Sequence, residues 1–179
     1  MIRTLIGLSA IACSLPALAN TYTDDEDVLK RKPIMSVSVD YVPAANNMYG
    51  VTFAPYHYDP DYSNWGYYIG YARSKDEDLV VEEPGEAYSR ETLWRFGLSY
   101  TLVDNFSVYG GATAYIYELH STNNITPLCT DCKPVWEKED DKTWGAEVGF
   151  RYMMDMGLMI GAGYNSATES AVISVGFAM

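Results

Sequence analysis

Basic residues are few in this 179-residue chain, with 12 lysines and arginines against 24 aspartates and glutamates. Such an imbalance repels a phosphate backbone, so nucleic acid is excluded as a partner. An apolar run of about 20 residues, the length a spanning helix needs, is also missing. No segment beyond the first residues carries helical periodicity. Histidine occurs only twice, which leaves little material for a nucleophile-and-base set. Against these shortages stand sixteen tyrosines and fourteen glycines, many for a chain of this length.

The first residues, "MIRTLIGLSAIACSLPALAN", place Arg3 in a short basic start, an apolar run from Leu5 to Leu15, and Ala17-Leu18-Ala19 as a small-residue cleavage site. That is the pattern of a Sec-type signal peptide, expected over residues 1–19. The competing reading, lipidation at Cys13, is weakened because Ala10 stands where a lipobox prefers leucine. The expected organisation is then a short periplasmic N-terminal segment over residues 20–33 and a single domain over residues 34–179. Loss of Arg3 with the leader takes the net charge from -12 to about -13.

In "LWRFGLSYTLVDNFSVYGG", Leu93 to Gly111, large apolar residues at Trp94, Phe96, Leu98 and Tyr100 alternate with Arg95, Gly97 and Ser99. Period-two alternation broken by Asp104-Asn105 and then resumed predicts two antiparallel strands and a tight turn. The same test predicts strands at Ile34–Val42, Met48–Tyr56, Trp65–Ser74, Leu93–Thr101, Phe106–Glu118, Thr143–Tyr152, Gly157–Asn165 and Ser170–Met179. Small residues dominate the polar faces, where a water-facing sheet would carry Lys, Glu and Thr. They suit a crowded barrel interior, which makes the apolar faces the outside.

Connection lengths test this reading, because a transmembrane barrel of even strand number has short periplasmic turns and longer outer loops. The two longest connections, Lys75–Glu91 and Leu119–Lys142, fall on one side, and the short Val103–Asn105 and Met153–Met156 fall on the other. The short first and seventh connections, Pro43–Asn47 and Ser166–Glu169, and the long second, His57–Asn64, depart from the rule. The expected fold is therefore all-β, an eight-stranded antiparallel up-and-down transmembrane β-barrel in the bacterial outer membrane. A soluble lipocalin-like periplasmic barrel is the alternative.

With "YTLVDNFSVYGGATAYIY" and "VGFRYMMDMGLMIGAGYN...AVISVGFAM", the chain resembles the small outer-membrane β-barrels of Gram-negative bacteria, the group that includes the OmpA transmembrane domain and the OmpX and Ail-type proteins. The resemblance spans roughly the residues after the leader. It implies partners in outer-membrane lipid, lipopolysaccharide and the barrel-insertion machinery, and a monomer. Its usual final aromatic is replaced by Met179, with Phe177 two residues earlier.

On the polar faces lie Asp40, Arg95, Glu147 and Arg151, two acids and two bases. Burying unpaired ions costs several kcal/mol, so an interior salt-bridge network is expected, and a narrow porin-like channel is the alternative. Tyr71, Trp94, Tyr100, Trp144 and Tyr152 lie toward strand ends on the apolar parity and should form aromatic girdles. Cys129 and Cys132, in "LCTDCKP", are expected to form a small disulfide in an outer loop, since no second Cys pair completes a zinc site.

The stretches "KDEDLVVEEPGE", Lys75–Glu86, and "EKEDDK", Glu137–Lys142, read as acidic surface loops. Bridging of their carboxylates to lipopolysaccharide phosphates by calcium or magnesium is the sharper alternative. His120 beside Glu118 and Ser121 is the one place for a lipid A-modifying hydrolase, but neighbouring strand residues point to opposite faces, and His57 falls in an inner turn. No catalytic residue, cofactor or resident metal is assigned. The expected work is structural or adhesin-like, with a possible host or surface ligand at the outer loops.

Overall fold

The computed structural model describes residues 35–55, 64–82, 85–103, 105–122 and 135–178. Among them are nine strands and no helix: β1 (Met35–Pro43), β2 (Asn47–Pro55), β3 (Trp65–Ser74), β4 (Glu77–Leu79), β5 (Ala87–Val103), β6 (Phe106–Thr122), β7 (Trp136–Met153), β8 (Leu158–Asn165) and β9 (Ser170–Ala178). The sheet order is β3-β2-β1-β9-β8-β7-β6-β5-β4, and a further pairing of β3 with β5 closes it. Every pairing is antiparallel. Eight strands thus form a closed all-β barrel, and β4 lies beyond its wall as a three-residue addition to the edge of β5.

Alternation of side chains along each strand sets the two faces. In β1 the inward Ser36, Ser38, Asp40 and Val42 are buried, while Met35 and Val39 are exposed. The inversion holds around the wall. Val39, Phe96, Val148 and Val175 are 52, 47, 64 and 50% exposed, whereas Arg95 and Asp40 are 1 and 0% exposed. Apolar residues outside and ions inside is the reverse of a domain folded around a core in water, where a continuous apolar patch of this extent is a liability.

Strands β1, β2, β3, β8 and β9 have 8 to 10 residues, near the 9 to 11 that cross a bilayer at barrel tilt. Strands β5, β6 and β7 have 17, 17 and 18. All three begin their excess at the same end, because the connections at 104–105 and 154–157 close the other end within a few residues. At about 3.3 Å per residue the excess carries them roughly 20 Å past the wall.

This projection corrects the sequence reading in four places. "EKEDDK" is not a loop but part of β7, paired with β6 from Glu137↔Ser121 to Lys142↔Ile116. The fifth barrel strand runs to Thr122 rather than Glu118, and the fourth begins at Ala87 rather than Leu93. Lys75–Glu86 contains β4. The reason is shared: past the wall β7 is exposed on both faces and the buried face of β5 carries Ser89 and Glu91, so no apolar alternation marks these strands, and cross-strand pairing alone defines them.

At the other end, Gly157 adopts φ 84° in the β7–β8 turn, a left-handed conformation that glycine takes without a Cβ clash. Its N–H donates to Met154 O at 2.8 Å, and Met154 N–H donates to Leu158 O at 2.7 Å. The expected leader (1–19), the following segment (20–33), His57, Asp104, Cys129, Cys132 and Met179 lie outside the described residues.

Candidate functional site

The barrel interior is organised around Arg95. Its Nε donates to Glu147 Oε2 at 2.7 Å, and its Nη1 donates to Asp40 Oδ2 at 2.9 Å and Thr52 Oγ1 at 3.1 Å. The Thr52 hydroxyl donates to Asp40 Oδ2, Ser174 Oγ donates to Asp40 Oδ1 at 2.5 Å, and Asn165 Nδ2 donates to Glu147 Oε2 at 3.5 Å. These side chains come from β1, β2, β5, β7, β8 and β9. Strand β3 contributes space instead: a Cβ on Gly70 would stand 2.6 Å from Thr52 Oγ1. One guanidinium thereby holds two carboxylates away from water, and hydroxyls and an amide occupy much of their remaining capacity, the condition under which a buried ion cluster is tolerated.

The levels on either side are filled by different chemistry. Toward the projecting end, Val42, Met48, Ala72, Leu93 and Val172 are fully buried in one apolar cluster, with Ala44 and Tyr115 packed against it. Toward the short-turn end, the Tyr68 and Tyr109 rings meet edge to face at 5.3 Å. Glycines make room for them. A Cβ on Gly111 would lie 2.7 Å from Tyr68 Oη, and one on Gly149 would lie 2.5 Å from Tyr109 Oη. Arg151 stands with its Cζ 4.1 Å from the Tyr109 ring centre and 5.1 Å from that of Tyr68. Its side chain makes no ion pair or hydrogen bond among the described residues. The structure therefore brings together three of the four interior charges expected to pair and leaves the fourth against aromatic faces.

Outside, the five expected girdle residues occupy two levels. Tyr71 and Trp94 pair across β3 and β5 with ring centres 4.7 Å apart, and Trp144 lies at the same end of β7. Tyr100 and Tyr152 lie toward the other end, in register with Trp65 and Phe106. Between the levels the outward side chains are apolar or small, among them Val39, Val51, Ile69, Phe96, Val148 and Ile173.

The projecting sheet sorts its side chains by face. On the outward face Arg90 binds Asp76 through two hydrogen bonds of 2.6 and 2.7 Å, and Lys138 Nζ donates to Glu118 Oε1 at 2.6 Å. His120 stacks on Tyr88 at 4.6 Å and lies 3.7 Å from Glu118, and Trp136 meets Tyr88 at 5.5 Å. The hydrogen bond from Lys138 holds the Glu118 carboxyl below the ordinary range, and the one from Arg90 does the same for Asp76. Alternation puts Glu137, Glu139 and Asp141 on the opposite face. Beyond the barrel, β7 has one ladder only: β6 pairs along its whole length, while β8 begins at Glu147. Its other edge, from Trp136 to Thr143, has no strand partner among the described residues.

No family model matches the sequence, and no curated protein matches it. Among solved structures, the chain is similar to Ail, the attachment invasion locus protein of Yersinia pestis, in complex with the heparin analogue sucrose octasulfate. That similarity has a TM-score of 0.56 at 11% identity, covering 81% of this chain and 96% of that one. A second crystal structure of Ail gives a TM-score of 0.53 over the same shares, again at 11% identity. The fold is that of the small eight-stranded outer-membrane β-barrels.

For an outer-membrane barrel fold, several alternatives lose their geometry. Ser121 faces away from Glu118 and His120, since it follows His120 directly in a strand, so the hydrolase constellation does not assemble. Among the described residues no three His, Cys, Asp or Glu side chains converge as metal ligands. Sequence reasoning missed the outward cluster of Tyr88, Arg90, Glu118, His120 and Lys138. The available signal was its parity: all five are even-numbered, like Trp94 and Trp144.

Proposed function

We propose that this chain spans the bacterial outer membrane as a monomeric, non-conducting barrel and works as a surface-interaction protein through the sheet that β5, β6 and β7 project beyond the wall. The observation that carries the reading is the edge of β7 from Trp136 to Thr143, a row of backbone donors and acceptors above the aromatic girdle that has no strand partner among the described residues. Such an edge accepts an added strand from a partner. The apolar belt between the two aromatic levels is the lipid contact, and lipopolysaccharide surrounds the projecting end. The leader and the alternating final strand suit export and delivery to the barrel-insertion machinery.

The Ail structure contains a sulfated, polyanionic ligand, but the ligand expected here has the opposite charge. This chain carries a formal charge of -12, and one face of the projecting sheet presents Glu137, Glu139 and Asp141 in exposed positions. A cationic protein segment is attracted to that field and a sulfated polysaccharide is repelled.

The test uses the full barrel in nanodiscs, with a lysine-rich peptide and heparin as probes. Binding of the peptide, weakened by salt and lost in a variant combining Glu137→Lys, Glu139→Lys and Asp141→Lys, is expected. Heparin binding by the wild type without peptide binding would refute the charge assignment. Recovery of the protein in the soluble periplasmic extract, with no heat-dependent gel shift, would refute the membrane assignment.

A further inference from the structure

Among the described residues, seven of the ten buried side-chain atoms without a hydrogen-bond partner lie in the short-turn half of the lumen or just above it: Tyr68 Oη, Ser107 Oγ, Tyr109 Oη, Glu147 Oε1 and the Nε, Nη1 and Nη2 of Arg151. Arg151 is 1% exposed, yet its whole guanidinium has no acceptor. The tyrosine faces against it attract the cation, but by less than it costs to leave a buried charge without a counterion. The two lumen carboxylates nearest in the stack are both bound to Arg95.

Arg151 has company suited to an acceptor. Ser107, fully buried, is its register partner across β6 and β7, so both side chains enter the lumen at one level. Tyr109 Oη lies beside Gly149 and Gly163, and Tyr68 Oη lies beside Gly111, the register partner of Glu147, so Tyr68 serves that carboxylate and the cation and hydroxyl at the Arg151 level are left to a separate acceptor. We infer that this level of the lumen binds a small monovalent anion, a halide or a single carboxylate group, held by the Arg151 guanidinium and the Ser107 hydroxyl. A monoanion pairs the otherwise unpaired Arg151 one to one, whereas a dianion would add excess negative charge beside Asp40, Arg95 and Glu147, which together already carry one. The apolar cluster of Val42, Met48, Leu93 and Val172 blocks the path from the projecting end, so the ion enters from the short-turn mouth. The inference is independent of what binds the projecting sheet.

Bromide is the probe, titrated at constant ionic strength against the folded full-length barrel in zwitterionic detergent. The expected result is a saturable rise of the urea unfolding midpoint with bromide, together with a bromine anomalous peak within hydrogen-bond distance of Arg151. Arg151→Gln should abolish both. If that variant fails to fold, Ser107→Ala, which keeps the charge, should weaken bromide on the order of tenfold, the value of one charge-assisted hydrogen bond. An unfolding midpoint flat in bromide, with no anomalous peak beside Arg151, would overturn the site and leave water, or a swing of Arg151 to Glu147 Oε1, to satisfy the guanidinium. The same bromide dependence in wild type and Ser107→Ala would also overturn it.

Discussion

Replacing Glu147 with alanine tests the filled lumen most directly. Glu147 is 4% exposed, accepts the 2.7 Å hydrogen bond from Arg95 Nε, and receives a weaker one from Asn165. Its removal leaves Arg95 with Asp40 as its only carboxylate and takes one negative charge out of the buried set of Asp40, Glu91, Arg95, Glu147 and Arg151. Removing one partner of a buried pair costs about 3 to 5 kcal/mol, and the retained Asp40 contact places this case near the lower figure. Glu147→Gln keeps an acceptor for Arg95 and fills the volume, so it should recover part of the loss but not the charge. The assay is reversible urea unfolding in lipid vesicles, followed by tryptophan fluorescence and the heat-dependent gel shift. Planar-bilayer recording runs in parallel, with no steady conductance expected for the wild type. A loss of stability below about 1 kcal/mol, the level of a solvent-screened pair, together with reproducible wild-type openings whose ion selectivity changes in Glu147→Ala, would refute the filled-lumen reasoning.

Other consequences are equally open to measurement. Val148 is 64% exposed at mid-strand on the outward face, so Val148→Arg should cost about 2 to 4 kcal/mol of membrane stability in the same unfolding assay. Because the Glu118 and Asp76 carboxyls titrate below their ordinary range, their ion pairs stabilise the projecting sheet above about pH 4 and lose that contribution as pH falls through the depressed values. Hydrogen exchange should then accelerate in residues 88–92 and 116–122 on acidification, before it does in the barrel wall. Cys129 and Cys132 are proposed to be joined to each other, and their replacement by serine should leave folding nearly unchanged because so short a loop constrains little entropy. Free thiols in freshly isolated, non-reduced protein would contradict that pairing.

The sequence by itself determined parity, and parity determined most of the wall. Side-chain direction in a strand is local, reversing at every residue, so the assignment of Asp40, Arg95, Glu147 and Arg151 to one face and of Trp94, Trp144 and Val148 to the other required no knowledge of neighbours. Where lipid-facing and lumen-facing residues alternate, as in β1, β3 and β9, strand limits were legible to within a residue or two. Where β5, β6 and β7 leave the wall, both faces are polar, the period disappears, and "EKEDDK" reads as a loop. Only pairing with residues 116–121 reveals the strand. Tertiary structure alone also decided the partners inside. Asp40 and Arg95 are 55 positions apart, and Arg95 and Glu147 are 52 apart, separations that closure of the barrel through β3 and β5 brings to hydrogen-bond distance. The same closure seats Arg151 against Tyr68 and Tyr109 and outside ion-pair distance of either carboxylate. Two acids and two bases on the polar faces predict pairing, but the radial geometry of eight strands chooses which charges meet, and the structure adds Glu91 to the buried set.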